Sequence, residues 1–329
     1  MIVSKVPYRV SFFGGGTDYP SWFTENEGSF ISATIDKFCF IRIRELPPFF
    51  SYKHRLVWSK VETVNEISEI QHPAIREVLN LYNPDRGLEI FHYGDLPART
   101  GLGSSSSFVI GLILSLDSFF NEKKLSPENL SKKAIQIERE VLNEKGGIQD
   151  QIAISHGGIN YVSISKNSDY IVKRFDKKNS IIQEIQNSLY LVYSGISRIS
   201  SEQSEHFESN FKINSSILQE MQNICNEVND HFDNNKMTVK LFSDYINESW
   251  KLKKTLITSE HMKLVLEIED YLIKSGATSV KLLGAGGGGF MLTTVPKDSQ
   301  DFFKQQTSKM IVTKISFYHG LPSITLDRI

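Results

Sequence analysis

Ten of the chain's 21 glycines fall in three short clusters, and each could bring backbone against an anion. Glycine has no Cβ, so it takes positive φ and lets another group approach the main chain closely. The second cluster carries the most chemistry: Pro97-Ala-Arg99-Thr-Gly101-Leu102-Gly103-Ser104-Ser105-Ser106-Ser107, followed by the apolar run FVIGLILSL. Small residues leading into an apolar helix offer unpaired N–H groups and the positive end of the helix dipole, a natural phosphate site. Serine hydroxyls in that first turn can cap the helix, touch phosphate oxygens or ligate Mg²⁺. A Gly-Ser linker before a capped helix is the plainer alternative, but four serines exceed what one cap needs. No Gly-Lys-Ser/Thr ending follows, so the loop is not of the Walker type.

In the first cluster an apolar strand containing Arg9 runs into Gly14-Gly15-Gly16-Thr17-Asp18. A ligand-facing loop and a tight turn after an edge strand, capped by Asp18, both fit that pattern. The third, Gly284-Ala-Gly286-Gly287-Gly288-Gly289, contains a literal G-x-G-x-x-G. A dinucleotide fingerprint must open a helix, whereas FMLTTV after this cluster reads as a strand. The expectation is a strand-to-strand loop lying against a phosphate or another loop.

Two carboxylates stand out beside the glycines. Ser126-Pro127-Glu128 starts a helix, with a hydroxyl cap, a proline at its first position and an acid in its first turn. Its apolar stripe is Leu130, Ala134, Ile137 and Val141, and Glu138 sits against that stripe instead of on the polar face. Buried carboxylates need a partner, and a cation supplies one; a stripe-edge glutamate with its head in water is the alternative. Asp150, in GIQDQIA before another apolar run, reads by itself as a helix N-cap. His92, His156 and His206 show no metal-ligand spacing.

These residues need strands and helices to hold them. Phe30 to Ile43, Leu88 to Tyr93, Leu189 to Tyr193, Ser279 to Leu283, Phe290 to Val295 and Ile311 to Phe317 read as strands. Residues 176–276 read as mostly helical around the Leu189 strand, with a further helix over 297–307. Trp250 reads as a buried helix anchor and Cys39 as core. At ~150 residues per domain, 329 residues suggest two, split in the polar stretch 165–190, as 1–175 and 176–329. A formal charge of -1 argues against nucleic-acid binding, and no run is long enough to span a membrane. Two cysteines cannot build a disulfide framework, and the N-terminus lacks a signal-peptide layout, so a cytoplasmic protein is expected.

Taken together, in this order and spacing, the clusters resemble the GHMP kinases, and the resemblance covers nearly the whole chain. The family's P-x-x-x-G-L-G-S-S loop is similar to Pro97–Ser105, with Ser106 following where many members have alanine. The N-terminal motif resembles that of galactokinases at Arg9, Gly14, Thr17 and Asp18. It departs at Gly15 and Gly16, where galactokinases carry Glu and His. The forms PYRVSFFGGGTD, PARTGLGSSSSF, GIQDQ, YSGISR and NESWKLKK look most like the heptose 7-phosphate kinase branch, bacterial enzymes that feed GDP-heptose synthesis.

The resemblance implies a two-domain α+β fold. A mixed α/β N-terminal domain would carry the phosphate loop, and the C-terminal domain would be ferredoxin-like. It implies transfer of the ATP γ-phosphoryl group to a sugar phosphate, with Mg²⁺, in a monomer or homodimer. Another sugar acceptor, such as fucose or galactose, or an inactive sugar-binding regulator, is the rival reading. By resemblance, Pro97 and Gly101–Ser106 cradle ATP, Ser105 and Glu138 hold Mg²⁺, Asp150 is the base and Arg9 neutralises charge beside it. Gly14 to Asp18, with Gly286 and Gly287, would shape the acceptor site. Arg99 and Arg198 are candidate cations for the sugar's own phosphate, or else surface ion-pair partners.

Overall fold

A computed structural model describes residues 1–98, 100–120, 125–196, 208, 211, 214–257 and 260–326. Arg99, Arg198 and His206 lie outside the described residues. In chain order the strands are β1 (Ile2–Phe13), β2 (Gly28–Glu45), β3 (His54–Val57), β4 (Val61–Val64), β5 (Leu88–Gly94) and β6 (Ile159–Ile164). They continue with β7 (Tyr170–Arg174), β8 (Leu189–Tyr193), β9 (Ser279–Leu282), β10 (Phe290–Thr294), β11 (Val312–Lys314) and β12 (Ser323–Leu326). The helices are α1 (Pro20–Asn26), α2 (Pro73–Tyr82), α3 (Ser104–Phe119), α4 (Pro127–Gln136) and α5 (Gln149–His156). After these come α6 (Ser180–Ser188), α7 (Ser215–Asp233), α8 (Val239–Leu256), α9 (Met262–Lys274) and α10 (Gln300–Gln306).

Two sheets organise the chain. The larger runs β12-β1-β2-β5-β3-β4, with β6 and β7 attached through β2. β2 is long enough to pair with β6 along Gly28–Ala33 and with β5 along Cys39–Glu45. The smaller sheet is antiparallel, in the order β11-β8-β10-β9. Helix α3 is apolar nearly all round because β1 and β2 cover one side and α2, α4 and α5 the others. Around the smaller sheet, Trp250 of α8 and Val265 and Leu272 of α9 pack on Val192, Val280 and Leu282. This is the expected α+β architecture. Among the described residues, no helix is long and apolar enough to cross a membrane.

Several expectations meet the structure unevenly. Trp250 is buried, with its indole N–H on Glu269, and Cys39 is core. The stripe on α4 holds through Ile137 but fails at Val141, which is 36 % exposed. The cause is a π turn over Ile137–Val141, where Leu142 N–H bonds Ile137 O at 2.8 Å and rotates the stripe outward. The strand expected over 311–317 is shorter, because the chain leaves β8 at Lys314 and crosses to the larger sheet, where Phe317 bridges Ile35. It then adds β12 beside β1, so a cut at residue 175 would separate β12 from the sheet it completes.

Candidate active site

Between the sheets lies a cleft lined from β1, all three glycine clusters, the π turn, α5, α8 and β9. Its centre is an ion pair. Arg9 is held by β1, whose register against β2 slips on either side of it, leaving its N–H to bond Leu102 O at 3.0 Å. Its guanidinium donates to Asp150 Oδ1 through Nε at 2.7 Å, meets the same oxygen through NH2 at 2.6 Å, and donates to Gly101 O at 2.7 Å. Asp150 Oδ2 is turned toward Gly103, where an added Cβ would sit 3.4 Å from it.

Asp150 is not the N-cap that its isolated context suggests. It occupies the first turn of α5, and the carboxylate that meets the helix start is Asp18, far away in sequence. Asp18 accepts from Gln149 N at 3.2 Å and Gly16 N at 2.9 Å, and its carbonyl accepts from Ile148 N at 3.0 Å. Gly147 leaves room for this, since a Cβ there would lie 1.7 Å from Asp18 Oδ2. Burial pushes the Asp18 carboxyl up to about 6, with the Asp150 charge adding to the rise and the N–H bonds opposing it.

The serines divide their work. The residue before α3, Gly103, takes φ 75° and makes no side-chain cap, so helix capping does not explain the run. Ser106 donates to Glu138 Oε2 at 2.9 Å, Ser107 donates to Pro7 O at 3.0 Å, and Ser105 faces Glu144 at 3.4 Å. Gln151 also donates to Glu138 Oε2. Glu138 is 3 % exposed and its Oε1 has no partner among the described residues. Burial first, and then the Glu144 charge, push its carboxyl up to about 8 against the pull of those two hydrogen bonds. The structure thus puts Ser106, not Ser105, on Glu138.

The third cluster joins two adjacent antiparallel strands, β9 and β10, as its strand-loop-strand pattern predicts. It lies directly on the serine loop: Phe290 N–H bonds Thr100 O at 3.2 Å, and a Cβ on Gly284 would stand 2.6 Å from Gly101 Cα. With φ at 72° as well, Gly284→Ala is expected to destabilise the protein by about 1–3 kcal/mol and to weaken ATP binding. Thermal melts and calorimetric titration with ATP check this; an unchanged melting temperature would show that the loop contact yields freely.

Not every residue singled out reaches the cleft. Gly15, Gly16, Asp18 and Gly287 line it, as do Gly101, Gly103 and Ser104 to Ser106. Gly14 and Thr17 do not: the Thr17 hydroxyl bonds Gly14 O and Ser29 O, fixing the loop from behind. Gly286 packs on Ile257, Leu102 is core, and Pro97 is exposed away from the cleft. Cleft residues beyond the sequence candidates include Lys253 and Lys281, both buried. A signal existed: Lys253 stands three residues from both Trp250 and Leu256, on the apolar face of α8, the same anomaly that marks Glu138.

The GHMP kinases N terminal domain matches residues 67–158, a span holding the serine loop, Glu138 and Asp150. The chain is 28% identical over 309 residues to the D-glycero-alpha-D-manno-heptose 7-phosphate kinase of Campylobacter jejuni, covering 88% of each. It is 24% identical over 280 residues to a galactokinase of Clostridium tetani, covering 74% of this chain and 71% of that one. A crystal structure of a D-glycero-D-manno-heptose 1-phosphate kinase from Bacteroides thetaiotaomicron matches with a TM-score of 0.80 at 21% identity, over 100% of both chains. Methanococcus jannaschii mevalonate kinase matches at 0.72 and 22%, over 97% of this chain and 98% of that one. With the serine loop, the paired glycine loop and the cleft between two sheets in place, the chain carries a GHMP kinases N terminal domain and is similar over most of its length to kinases of that kind, which supports an ATP-dependent phosphotransferase.

Proposed function

We propose that this kinase phosphorylates D-glycero-D-manno-heptose 7-phosphate at the anomeric hydroxyl, giving the 1,7-bisphosphate. The observation that carries phosphoryl transfer is the Arg9–Asp150 pair, set between the start of α3 and the Gly14–Asp18 loop. The heptose acceptor is supported by the Campylobacter jejuni relative, which covers 88% of both chains. In the reaction the anomeric oxygen attacks the γ-phosphorus, the bond from that phosphorus to the ADP oxygen breaks, and the hydroxyl proton leaves. Asp150 Oδ2 is the atom placed to orient that hydroxyl and take its proton, since Oδ1 is committed to Arg9. The N–H groups at the start of α3 hold the ATP phosphates, and Arg9 offsets charge on the group in transit. Asp18 and the Gly15–Gly16 backbone face the sugar.

The residues present fit Mg²⁺. Glu138 offers a buried carboxylate oxygen without a partner among the described residues, beside the Ser106 hydroxyl and within reach of the Glu144 charge. No cluster of three or more His, Cys, Asp or Glu suited to a metal occurs among the described residues, so phosphate oxygens and water would complete the shell, as Mg²⁺ prefers. When bound, the ion would supply charge neutralisation for the ATP phosphates.

An ADP-release assay with D-glycero-D-manno-heptose 7-phosphate is expected to show turnover above a sugar-free blank, with phosphorus NMR placing the new phosphate at the anomeric position. Turnover confined to an unphosphorylated hexose such as galactose or fucose would reassign the acceptor while keeping the chemistry.

A further inference from the structure

Lys253 reaches the cleft from α8, on the side of the smaller sheet. Its ammonium donates to Leu282 O at 3.3 Å and to Gly284 O, the carbonyls where β9 runs into the glycine loop. Those two bonds use two of three N–H groups. Lys281, on β9, donates to Phe12 O and reaches Ser249 Oγ at 3.5 Å. Neither lysine makes an ion pair among the described residues, although both are nearly closed off from water. Buried ammonium groups without a counter-charge are costly, so the site is built for an anion that arrives later.

Which anion follows from the neighbours. The groups facing Lys253 are Arg9 from β1, Asp18 from the first glycine loop and Lys281 from β9, with Asp150 beyond Arg9. Arg9 already spends hydrogen bonds on Asp150 and on Gly101 O, so much of its donor capacity is taken. The third N–H of Lys253 is uncommitted among the described residues, its ammonium feels the Arg9 charge, and the Gly284 loop that it holds lies on Gly101. We propose that Lys253 is a further catalytic residue, its ammonium contacting the phosphoryl group in transit between ATP and the acceptor. This rests on the kinase reading above and adds a group to it. Burial, and then the Arg9 charge, push Lys253 down to about 7, with Asp18 opposing. An incoming phosphoryl group raises it again, so the free enzyme loses the useful proton on the alkaline side.

Two substitutions test this. Lys253→Met keeps the length of the chain and removes the charge; Lys253→Arg keeps a charge that does not titrate. Affinity for ADP with aluminium fluoride, which imitates the phosphoryl group in transit, requires no sugar. Lys253→Met is expected to weaken that complex, and kcat with it, by ~10²–10³-fold while leaving ADP alone nearly unchanged. Lys253→Arg is expected to restore much of kcat and to move the alkaline limb of kcat/KM upward by about two pH units or more. Equal losses for ADP and for ADP with aluminium fluoride, or none for either, would overturn the proposal, leaving Lys253 as a clamp on the glycine loop. An arginine variant whose alkaline limb coincides with that of the unaltered protein would overturn it too. If no sugar is turned over but the aluminium fluoride complex still needs Lys253, the acceptor assignment falls and this contact stands.

Discussion

Asp150→Asn is expected to lower kcat by ~10²–10⁴-fold while ATP still binds, the range general acid–base groups contribute. Asparagine keeps an oxygen for Arg9, so the guanidinium stays in place and Gly101 O keeps its donor. What disappears is the charge on the oxygen turned toward Gly103, the atom proposed to take the acceptor hydroxyl's proton. Steady-state kinetics beside calorimetric ATP titration separate the two effects. A near-normal kcat would remove the base role and leave Asp150 as an anchor for Arg9. A parallel loss of ATP affinity would mean instead that the Arg9–Asp150 pair shapes the phosphate loop itself.

Glu138→Gln is the second large effect, and it works in opposite directions on activity and stability. The charged carboxylate is what a cation would use, so the variant is expected to lose ~10²-fold or more in metal-dependent kcat, as when a preorganised charge is removed from transferring phosphate. In the empty protein the same charge is a burden. The folded-state pKa is raised to about 8 from a reference of 4.5, so the folded protein keeps a proton that the unfolded chain has released. The stability this contributes is full below the unfolded value and is lost as pH rises toward 8. Glutamine carries no such penalty. The melting temperature of the variant should therefore exceed that of the unaltered protein by a margin that grows from pH 5 to pH 8 and then levels, measured without metal or nucleotide. Over the same window Mg²⁺ affinity in the unaltered protein should rise, with proton release on binding. A margin that does not change with pH would show that Glu138 is ionised in the empty cleft.

Some of the site was legible because its chemistry is local. A proline and serine at a helix start, glycines needed at positive φ, and a run of small residues before an apolar helix each act within a few residues of themselves. Glu138 was visible as a charge on an apolar stripe, and Lys253 carried the same mark on α8. The strand-loop-strand setting of Gly284–Gly289 excluded dinucleotide binding before any contact was known, and β9 and β10 do flank the loop.

Other assignments needed partners that the chain meets only when folded. Asp18 rather than Asp150 meets the start of α5, because the first glycine loop is carried there by β1. Ser106 rather than Ser105 finds Glu138, because one turn of α3 points adjacent serines in different directions and the π turn sets where Glu138 stands. The return of residues 323–326 to β1 joins the two ends of the chain.

By itself, then, the sequence determined the glycine and serine elements that line the cleft, since periodicity and glycine geometry specify backbone and faces locally, while the α+β fold and the kinase class followed from the resemblance of those clusters, in their order, to the GHMP kinases. The tertiary structure alone decided which side chains meet. Pairings such as Arg9 with Asp150, and Lys253 with the Gly284 carbonyl, join residues 141 and 31 positions apart, and packing rather than local preference selects them.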